Sequence, residues 1–155
     1  MPSLTIEEVL RKCIAREIQS QVLYKDLASR VRISATEYAL SLLIHQEEEH
    51  QRILESYLIG NLSEGALGLR HVVDYKLAEH LEQPDVRPDM QLPEIFLLAA
   101  HRERESHDLY TELADIHPEG KLKQLLFKLA SEELGHKQKV EIMYSEVAFP
   151  QTDGG

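Results

Sequence analysis

The sequence has one cysteine, no tryptophan and fewer basic than acidic residues. The shortages of cysteine and of basic residues each exclude a class of protein. Its single cysteine, Cys13, rules out an internal disulfide and any Cys-x-x-Cys metal module in this chain. Tryptophan is absent, and 17 Lys and Arg stand against 27 Asp and Glu, which gives a net charge of −10. Because an acidic surface repels phosphate backbones, we expect no nucleic-acid partner.

Long apolar runs are missing as well. No uncharged apolar stretch approaches the roughly 20 residues that span a bilayer. The amino-terminal segment, MPSLTIEEVL, lacks the basic start and apolar run of a signal peptide. We therefore expect a cytoplasmic protein with no membrane partner. The chain has 155 residues, of which 43% are hydrophobic and 28% charged, so residues 1–155 are expected to form a single globular domain.

Apolar residues recur at helical spacing along most of the chain, and strand signals are few. This pattern predicts an all-α protein with helical hairpins at about residues 5–59 and 92–147. Glycines and prolines gather at about 60–90, which we interpret as a long crossover between the second and third long helices, with a short helix at His71–Leu81. The polar residues 149–155 are expected to form a loose tail.

Helix ends are marked by local signals. Thr5 followed by Glu8 has the spacing of a capping box at the start of the first helix. Ser34 followed by Glu37 has the same spacing at the start of the second helix. Gly60 is expected to stop the second helix, because glycine readily adopts the left-handed conformation that ends helices.

One pattern occurs twice, 86 residues apart, with no insertion or deletion between the matched positions. Each copy has a Glu, then a Tyr, then Glu-x-x-His. The first copy consists of Glu17, Tyr24, Glu47 and His50, and the second of Glu103, Tyr110, Glu133 and His136. Arg16 and Ser20 match Arg102 and Ser106 in the same register. These matches predict a duplicated helical hairpin.

The repeated glutamates are spaced so that they can meet in one layer. Glu17 and Glu47 lie equally far from the first predicted turn, as Glu103 and Glu133 do from the second. In an antiparallel pair, residues equidistant from the turn lie at the same height. A His three residues after a Glu shares its helix face. Four carboxylates and two imidazoles could then hold two metal ions, and this donor set suits iron or manganese better than magnesium.

Each part of the pattern has an ordinary alternative explanation. A single Glu-x-x-His is common on solvated helix faces, and only the joint occurrence in register favours a metal site. Tyr24 and Tyr110 could be core residues, although a ligating carboxylate is then the nearest partner for each hydroxyl. The stripe positions between them, Gln21 and His107, are expected to point inward. His107 could be an outer-sphere donor, a further ligand or a packed histidine, and its match to Gln21 favours a role other than ligand.

The chain resembles the ferritin-like superfamily and, within it, the rubrerythrin-type di-iron domain. The residues that carry the resemblance are the two repeated sets, Glu17, Tyr24, Glu47, His50 and Glu103, Tyr110, Glu133, His136. The resemblance implies a four-helix bundle with a long crossover between helices 2 and 3. It also implies two iron ions, with manganese or zinc as alternatives, bound by the six Glu and His residues, and outer-sphere roles for both tyrosines.

The sequence departs from the rubrerythrin pattern in two respects. Rubrerythrins commonly carry a further Glu three residues after the third-helix ligand, and Ser106 stands at that position here. They also often end in a rubredoxin domain with four cysteines, which this sequence lacks. Peroxide reduction would therefore need an external, rubredoxin-like electron donor.

The resulting hypothesis is a di-iron carboxylate protein whose Fe(II) pair reacts with hydrogen peroxide or dioxygen, in oxidative stress or iron handling. The alternatives are a ferroxidase that stores iron, a non-catalytic metal-binding bundle, and an oxygenase acting on an organic substrate. By analogy we expect a homodimer or a higher homo-oligomer. Assembly separates these hypotheses, because iron storage needs a closed shell of many subunits.

Overall fold

The computed structural model describes residues 5–30, 32, 34–60, 76–87 and 89–148. Within these ranges all regular secondary structure is helical, as predicted, and there is no strand. The helices are α1 (Ile6–Arg30), α2 (Ser34–Leu58), α3 (Leu77–His80), α4 (Leu92–Asp115) and α5 (Lys121–Ala148). The four long helices are consistent with the predicted four-helix bundle. None of the helices in the described ranges is long and apolar enough to cross a membrane.

Parts of the predicted organisation fall on residues outside the described ranges. They include 61–75, which hold about half of the expected crossover and the first five residues of the expected short helix, and the expected tail at 149–155. Of the short helix predicted at His71–Leu81, the described residues contain a single turn, Leu77–His80.

The ends of α1 and α2 follow their sequence signals. The backbone N–H of Thr5 donates to Glu8 Oε2 at 2.8 Å, and the N–H of Glu8 donates to Thr5 Oγ1 at 3.1 Å, so the capping box is confirmed. At the end of α2, Gly60 has a φ of 79° and its N–H donates to the carbonyl of Tyr57 at 3.0 Å. Glycine adopts this left-handed conformation without strain, which explains why the helix ends there.

Helices α1 and α2 pack against each other as one hairpin, and α4 and α5 as the other. The α1–α2 pair is antiparallel, since Gln21 bonds to Gln51 at 2.8 Å while Lys25, one turn later, lies 4.0 Å from Glu48. Each helix presents one apolar face to its partner. The midpoints of the four long helices lie together at the middle of the bundle.

The two hairpins meet along α1 and α4 through residues that the repeat relates to one another. Arg16 Nε donates to Ser106 Oγ at 3.3 Å, and Arg102 donates to Ser20 Oγ at 2.8 Å. Each arginine thus bonds to the serine of the opposite copy. The exchange is what an approximate two-fold relation between the hairpins requires, and it fixes the relative height of α1 and α4.

Two apolar clusters fill the bundle, one towards each end. The first contains Val9, Leu10, Cys13, Leu54, Tyr110, Ala114, Leu122, Leu125, Leu126, Leu129 and Ala130. The second contains Tyr24, Leu27, Leu40, Leu43, Ala78, Met90, Ile95, Leu98, Ala99, Ala100 and Val140. Along every long helix, a stretch of buried polar residues separates the members of one cluster from those of the other.

The short helix α3 is tied to α5 by buried charges. Glu141 accepts a hydrogen bond from the backbone N–H of Ala78 at 3.0 Å. Lys137, which is 1% exposed, donates to Glu141 at 3.2 Å and to Glu79 at 3.1 Å. Since an unpaired buried charge is strongly unfavourable, these groups hold α3 against the bundle.

Replacement of Lys137 tests this anchor. We expect Lys137→Ala to lower the free energy of unfolding of the metal-free protein by about 3–5 kcal/mol, because it leaves Glu141 buried without its cation. Lys137→Gln is expected to be milder, because in the first repeat Gln51 donates to Glu55 at 2.7 Å from the equivalent position. Urea denaturation followed by circular dichroism measures both losses.

The matched control is Lys25→Ala, which removes a lysine side chain that is 59% exposed and is expected to change the stability by less than about 1 kcal/mol. A loss for Lys137→Ala no larger than that of the control would contradict the anchoring role.

Candidate metal centre

The six residues predicted as metal ligands come together in one buried layer midway along the bundle. Each is between 0% and 8% exposed, and they are Glu17 on α1, Glu47 and His50 on α2, Glu103 on α4, and Glu133 and His136 on α5. The layer lies between the two apolar clusters. So many ionisable groups in an apolar interior are unfavourable unless they are paired with one another or with a cation.

The ligand atoms form two overlapping groups, and within each group all of them lie within 4.8 Å of one another. One group consists of Glu17, Glu47, His50 and Glu133, and the other of Glu47, Glu103, Glu133 and His136. Glu47 and Glu133 belong to both groups. Each group also has one Glu and one His of its own, as two neighbouring cations that share two carboxylates would require.

The histidines of the two groups face each other across the layer. The rings of His50 and His136 stack with their centroids 5.0 Å apart and an interplanar angle of 19°. His50 comes from α2 and His136 from α5, so the stack joins the two hairpins. The duplication thus produces a centre in which each half of the protein supplies three of the six donors.

The contacts of the first group are nearly complete within the protein. His50 Nδ1 lies 2.7 Å from Glu133 Oε1 and 3.6 Å from Glu17 Oε1. The hydroxyl of Tyr110 donates to the same oxygen of Glu17. The other ring nitrogen of His50, Nε2, lies 2.7 Å from Glu132 Oε2. Both nitrogens of this imidazole therefore have carboxylate partners.

The second group is much less satisfied. His136 Nδ1 lies 3.6 Å from the nearest carboxylate oxygen, Glu103 Oε2, which is too far for a hydrogen bond. Among the described residues, the buried atoms without a hydrogen-bond partner include this nitrogen, both oxygens of Glu103, Glu133 Oε2 and the hydroxyl of Tyr24. Buried polar atoms are nearly always paired. Orphaned carboxylate oxygens and an imidazole nitrogen that converge on one point fit a metal cation, which accepts all of these donors.

The carboxylates of the layer differ in acidity. Burial, followed by the charges of neighbouring carboxylates, raises the pKa of Glu47 and of Glu133 well above the ordinary value of 4.5. Burial also raises the pKa of Glu17 and Glu103, but the neighbouring groups outweigh it, namely Glu47, His50 and Tyr110 around Glu17, and Glu133 and His136 around Glu103. The pKa of Glu17 is therefore lowered, and that of Glu103 falls to about 2. In the metal-free protein the shared carboxylates therefore keep their protons to higher pH than the unshared ones.

The pKa values of the neighbouring titratable groups depend on burial and on the same charges. Burial lowers the pKa of His50, but the hydrogen bond to Glu132 and the nearby Glu17 carboxylate outweigh this and raise it well above 6.5. Burial and the Glu17 carboxylate keep the pKa of Tyr110 well above 10, so its hydroxyl remains a donor. Burial raises the pKa of Cys13 to about 12, and the residue packs in the first apolar cluster as a small side chain, as expected.

Two residues differ from the sequence-based expectation. His107 was expected to point inward, but its side chain is 30% exposed and lies 3.2 Å from Asp108, outside both ligand groups. Its match, Gln21, is buried and bonds to Gln51. The position equivalent to Gln51 is Lys137, which bonds to acidic residues instead, so that His107 lacks the buried partner that Gln21 has.

Glu132 was not singled out from the sequence although it contacts His50. Its position in the first repeat is Gln46, so a search for matched residues passes over it. The signal that could have found it is the helical spacing of Lys128 and Glu132, whose side chains pair at 2.9 Å. Ser106, at the position of the further rubrerythrin Glu, bonds to Arg16 on α1.

A cleft between α2 and α5 reaches the centre from the surface. Its volume is about 500 Å³, and it is lined by His45, Gln46, Glu49, His50, Ser131, Glu132, Gly135, His136, Gln138 and Lys139. The stacked histidines belong to this lining, so the cleft connects the ligand layer with solvent. It is wide enough for a molecule far larger than hydrogen peroxide or dioxygen.

A solved structure described as a hypothetical protein from Pyrococcus furiosus is similar to this chain. The two are 22% identical and superimpose with a TM-score of 0.63, over 96% of this chain and 94% of that chain. At this identity, the similarity concerns the fold alone. No protein-family model matches the sequence, and no curated protein is significantly similar to it.

The two tyrosines provide a matched pair of substitutions. Tyr110→Phe removes the donor to buried Glu17 and is expected to lower the free energy of unfolding of the metal-free protein by about 1–3 kcal/mol. Tyr24→Phe removes a buried hydroxyl that has no hydrogen-bond partner in the described part of the chain, and it is expected to be neutral or slightly stabilising. Equal losses in urea denaturation would contradict this difference.

The raised pKa values of Glu47 and Glu133 predict a dependence on pH with a definite sign. Because these groups hold protons more tightly when folded, their contribution to stability is full below pH 4.5 and is lost as the pH rises through their raised pKa values. Glu17 and Glu103 contribute above pH 4.5, and their contribution is lost as the pH falls through their lowered pKa values. We therefore expect the metal-free protein to lose stability above pH 4.5.

A divalent cation needs the same carboxylates ionised, so its binding is expected to release protons and to strengthen with rising pH. Titration calorimetry with Co(II) in two buffers of different ionisation enthalpy counts the released protons. Glu47→Gln has no proton to lose at that position and should flatten the pH dependence of metal-free stability. A metal-free stability that rises steadily from pH 5 to pH 8 would contradict the prediction.

Proposed function

We propose that this protein is a di-iron oxidoreductase of the rubrerythrin type, within the ferritin-like superfamily, and that it reduces hydrogen peroxide. The observation that carries the proposal is the pair of buried ligand groups that share Glu47 and Glu133. A surface cluster of acidic residues would have neither the burial nor the two imidazoles. The similarity to the rubrerythrin ligand pattern, residue by residue, supports the same reading.

Charge and donor chemistry both favour two divalent cations. When ionised, the four carboxylates of the layer carry four negative charges, which balance two divalent ions in an interior that tolerates no net charge. Carboxylate oxygens together with imidazole nitrogens suit iron or manganese, whereas magnesium and calcium prefer oxygen alone. Glu17 and His50 would hold one ion, Glu103 and His136 the other, and Glu47 and Glu133 both.

The chain itself positions the ligands, covers the layer with apolar side chains and supplies groups that carry protons. Tyr110 holds the Glu17 carboxylate by a hydrogen bond from across the hairpin interface. The apolar clusters cover the layer towards both ends of the bundle, and the low dielectric constant there strengthens the electrostatic interactions of the ligands. The raised pKa values of Glu47 and Glu133 mean that protons held by these groups must leave before both carboxylates can bind a cation.

When bound, a ferrous pair supplies the two electrons that, together with two protons, convert one hydrogen peroxide into two water molecules. An external electron donor, rubredoxin-like in chemistry, is needed to return the two electrons. The cleft between α2 and α5 supports this reaction, because it gives a small polar oxidant a route to His50 and His136.

The test is anaerobic loading with Fe(II), followed by separate stopped-flow mixing with hydrogen peroxide and with air-saturated buffer. We expect two irons per chain and oxidation by peroxide that is far faster than oxidation by air. Rapid oxidation by air, with iron uptake beyond two per chain, would instead indicate a ferroxidase that stores iron. Bound iron that reacts with neither oxidant would indicate a metal-binding bundle without catalysis.

Ligand variants test the centre itself. Glu47→Ala and Glu133→Ala each remove a donor from both groups, so each is expected to weaken both binding steps. The loss should exceed the roughly 10- to 100-fold typical of outer-sphere changes. The matched control is Glu48→Ala, whose side chain is 46% exposed and pairs weakly with Lys25. A wild-type protein that binds no iron, or ligand variants that bind like Glu48→Ala, would refute the proposal.

A further inference from the structure

The repeat reproduces the ligands of the two groups but not their surroundings. The residue behind His50 is Glu132, and the residue at the equivalent position of the other copy is Gln46. Lys128, which supports Glu132, is matched by Leu42. A charged pair in one copy thus corresponds to an amide and an aliphatic side chain in the other. The two ligand groups cannot be equivalent in energy.

The chain of contacts behind His50 is continuous. His50 Nε2 lies 2.7 Å from Glu132 Oε2, and Glu132 Oε1 lies 2.9 Å from Lys128 Nζ. His50 is 1% exposed, and the Lys128 side chain is 9% exposed, so neither is free to swing into solvent. Lys128 therefore fixes the carboxylate, and the carboxylate fixes the plane of the His50 ring.

The second group lacks this support. Gln46 and His136 line the same cleft, but an amide carries no charge to hold a ring proton. Most unpartnered atoms of the layer also lie here. Among the described residues, His136 Nδ1 and both oxygens of Glu103 have no hydrogen-bond partner, whereas the first group has one such atom of its own, Glu17 Oε2. Two independent observations, the sequence difference and the unpaired atoms, distinguish the same group.

We propose that Glu132, held by Lys128, positions His50 and makes the group of Glu17 and His50 the tighter of two unequal metal subsites. The inference rests on the proposed function, because it assumes that the layer binds two divalent cations. A carboxylate that accepts from Nε2–H keeps the proton on that nitrogen, turns the Nδ1 lone pair towards the other ligands and makes it more basic. A neutral amide at position 46 does this less well for His136.

The wild-type protein is then expected to bind Co(II) in two distinguishable steps, the first about 10- to 100-fold tighter than the second. Titration calorimetry gives the two dissociation constants, and the cobalt absorption bands follow the filling of each subsite. Co(II) is chosen because its spectrum reports on the ligands and it does not oxidise during the titration.

Single-subsite backgrounds assign the effect. Glu103→Ala removes the second group's own carboxylate, and Glu17→Ala removes that of the first. We expect Glu132→Gln to weaken Co(II) binding about 10- to 100-fold in the Glu103→Ala background and less than twofold in the Glu17→Ala background. General structural damage would weaken binding in both backgrounds alike, so the contrast separates positioning from loss of folding.

The reciprocal substitution uses the repeat as its own control. Gln46→Glu introduces behind His136 the carboxylate that His50 already has. It should tighten Co(II) binding in the Glu17→Ala background and leave the Glu103→Ala background unchanged. Lys128→Gln, which loosens Glu132 without touching His50, is expected to act in the same direction as Glu132→Gln but by a smaller factor.

Equal effects of Glu132→Gln in the two backgrounds, or changes below twofold in both, would overturn the inference while the wild type still binds two cobalt ions. A wild type that binds no cobalt and no iron would instead refute the proposed function, and this inference with it. The two failures are therefore distinguishable in one set of titrations.

Discussion

Four carboxylates buried in one layer are the constraint on which the rest of the structure depends. Taking an ionised carboxylate out of water is unfavourable by several kcal/mol, and a packed hydrophobic layer is often more stable. The two apolar clusters on either side supply the stability that this layer lacks. The protein tolerates the layer without a cation by sharing protons, since Glu47 and Glu133 have raised pKa values while Glu17 and Glu103 have lowered ones.

Repetition of one helical hairpin provides all the carboxylates and histidines of this layer. Each hairpin carries a Glu on one helix and Glu-x-x-His on the other, and the exchange of Arg16–Ser106 and Arg102–Ser20 contacts aligns the two copies. The repeat preserves the donors and these Arg–Ser contacts, but not Glu132 and Lys128 behind His50. Gln46 and Leu42 stand at the positions equivalent to Glu132 and Lys128, so the copies differ in residues that act on a ligand, and such residues tune the affinity of a metal site.

The sequence predicted the parts of this protein that follow from periodicity and register. Helix limits were close because the Thr5–Glu8 capping box and Gly60 act locally, and the meeting of six donors followed from equal distances to the turns. The inward orientation expected for His107 was wrong, although its favoured role other than ligand agrees with its place outside both ligand groups. Lys137, at the position equivalent to the partner of Gln21, pairs with Glu79 and Glu141, and spacing does not encode such a difference. Glu132 was missed because the repeat does not mark it, since Gln46 stands at the equivalent position of the first copy.

We expect cations and small molecules to reach the ligand layer through the side of the bundle between α2 and α5. The hairpins join along α1 and α4, while between α2 and α5 lies the cleft that ends at the stacked histidines. Filling this cleft with apolar side chains would seal the core and stabilise the fold, but it would also isolate the layer from solvent. An open cleft beside an uncompensated charge layer is unfavourable for folding alone, and it becomes understandable if cations and a small oxidant must reach these ligands.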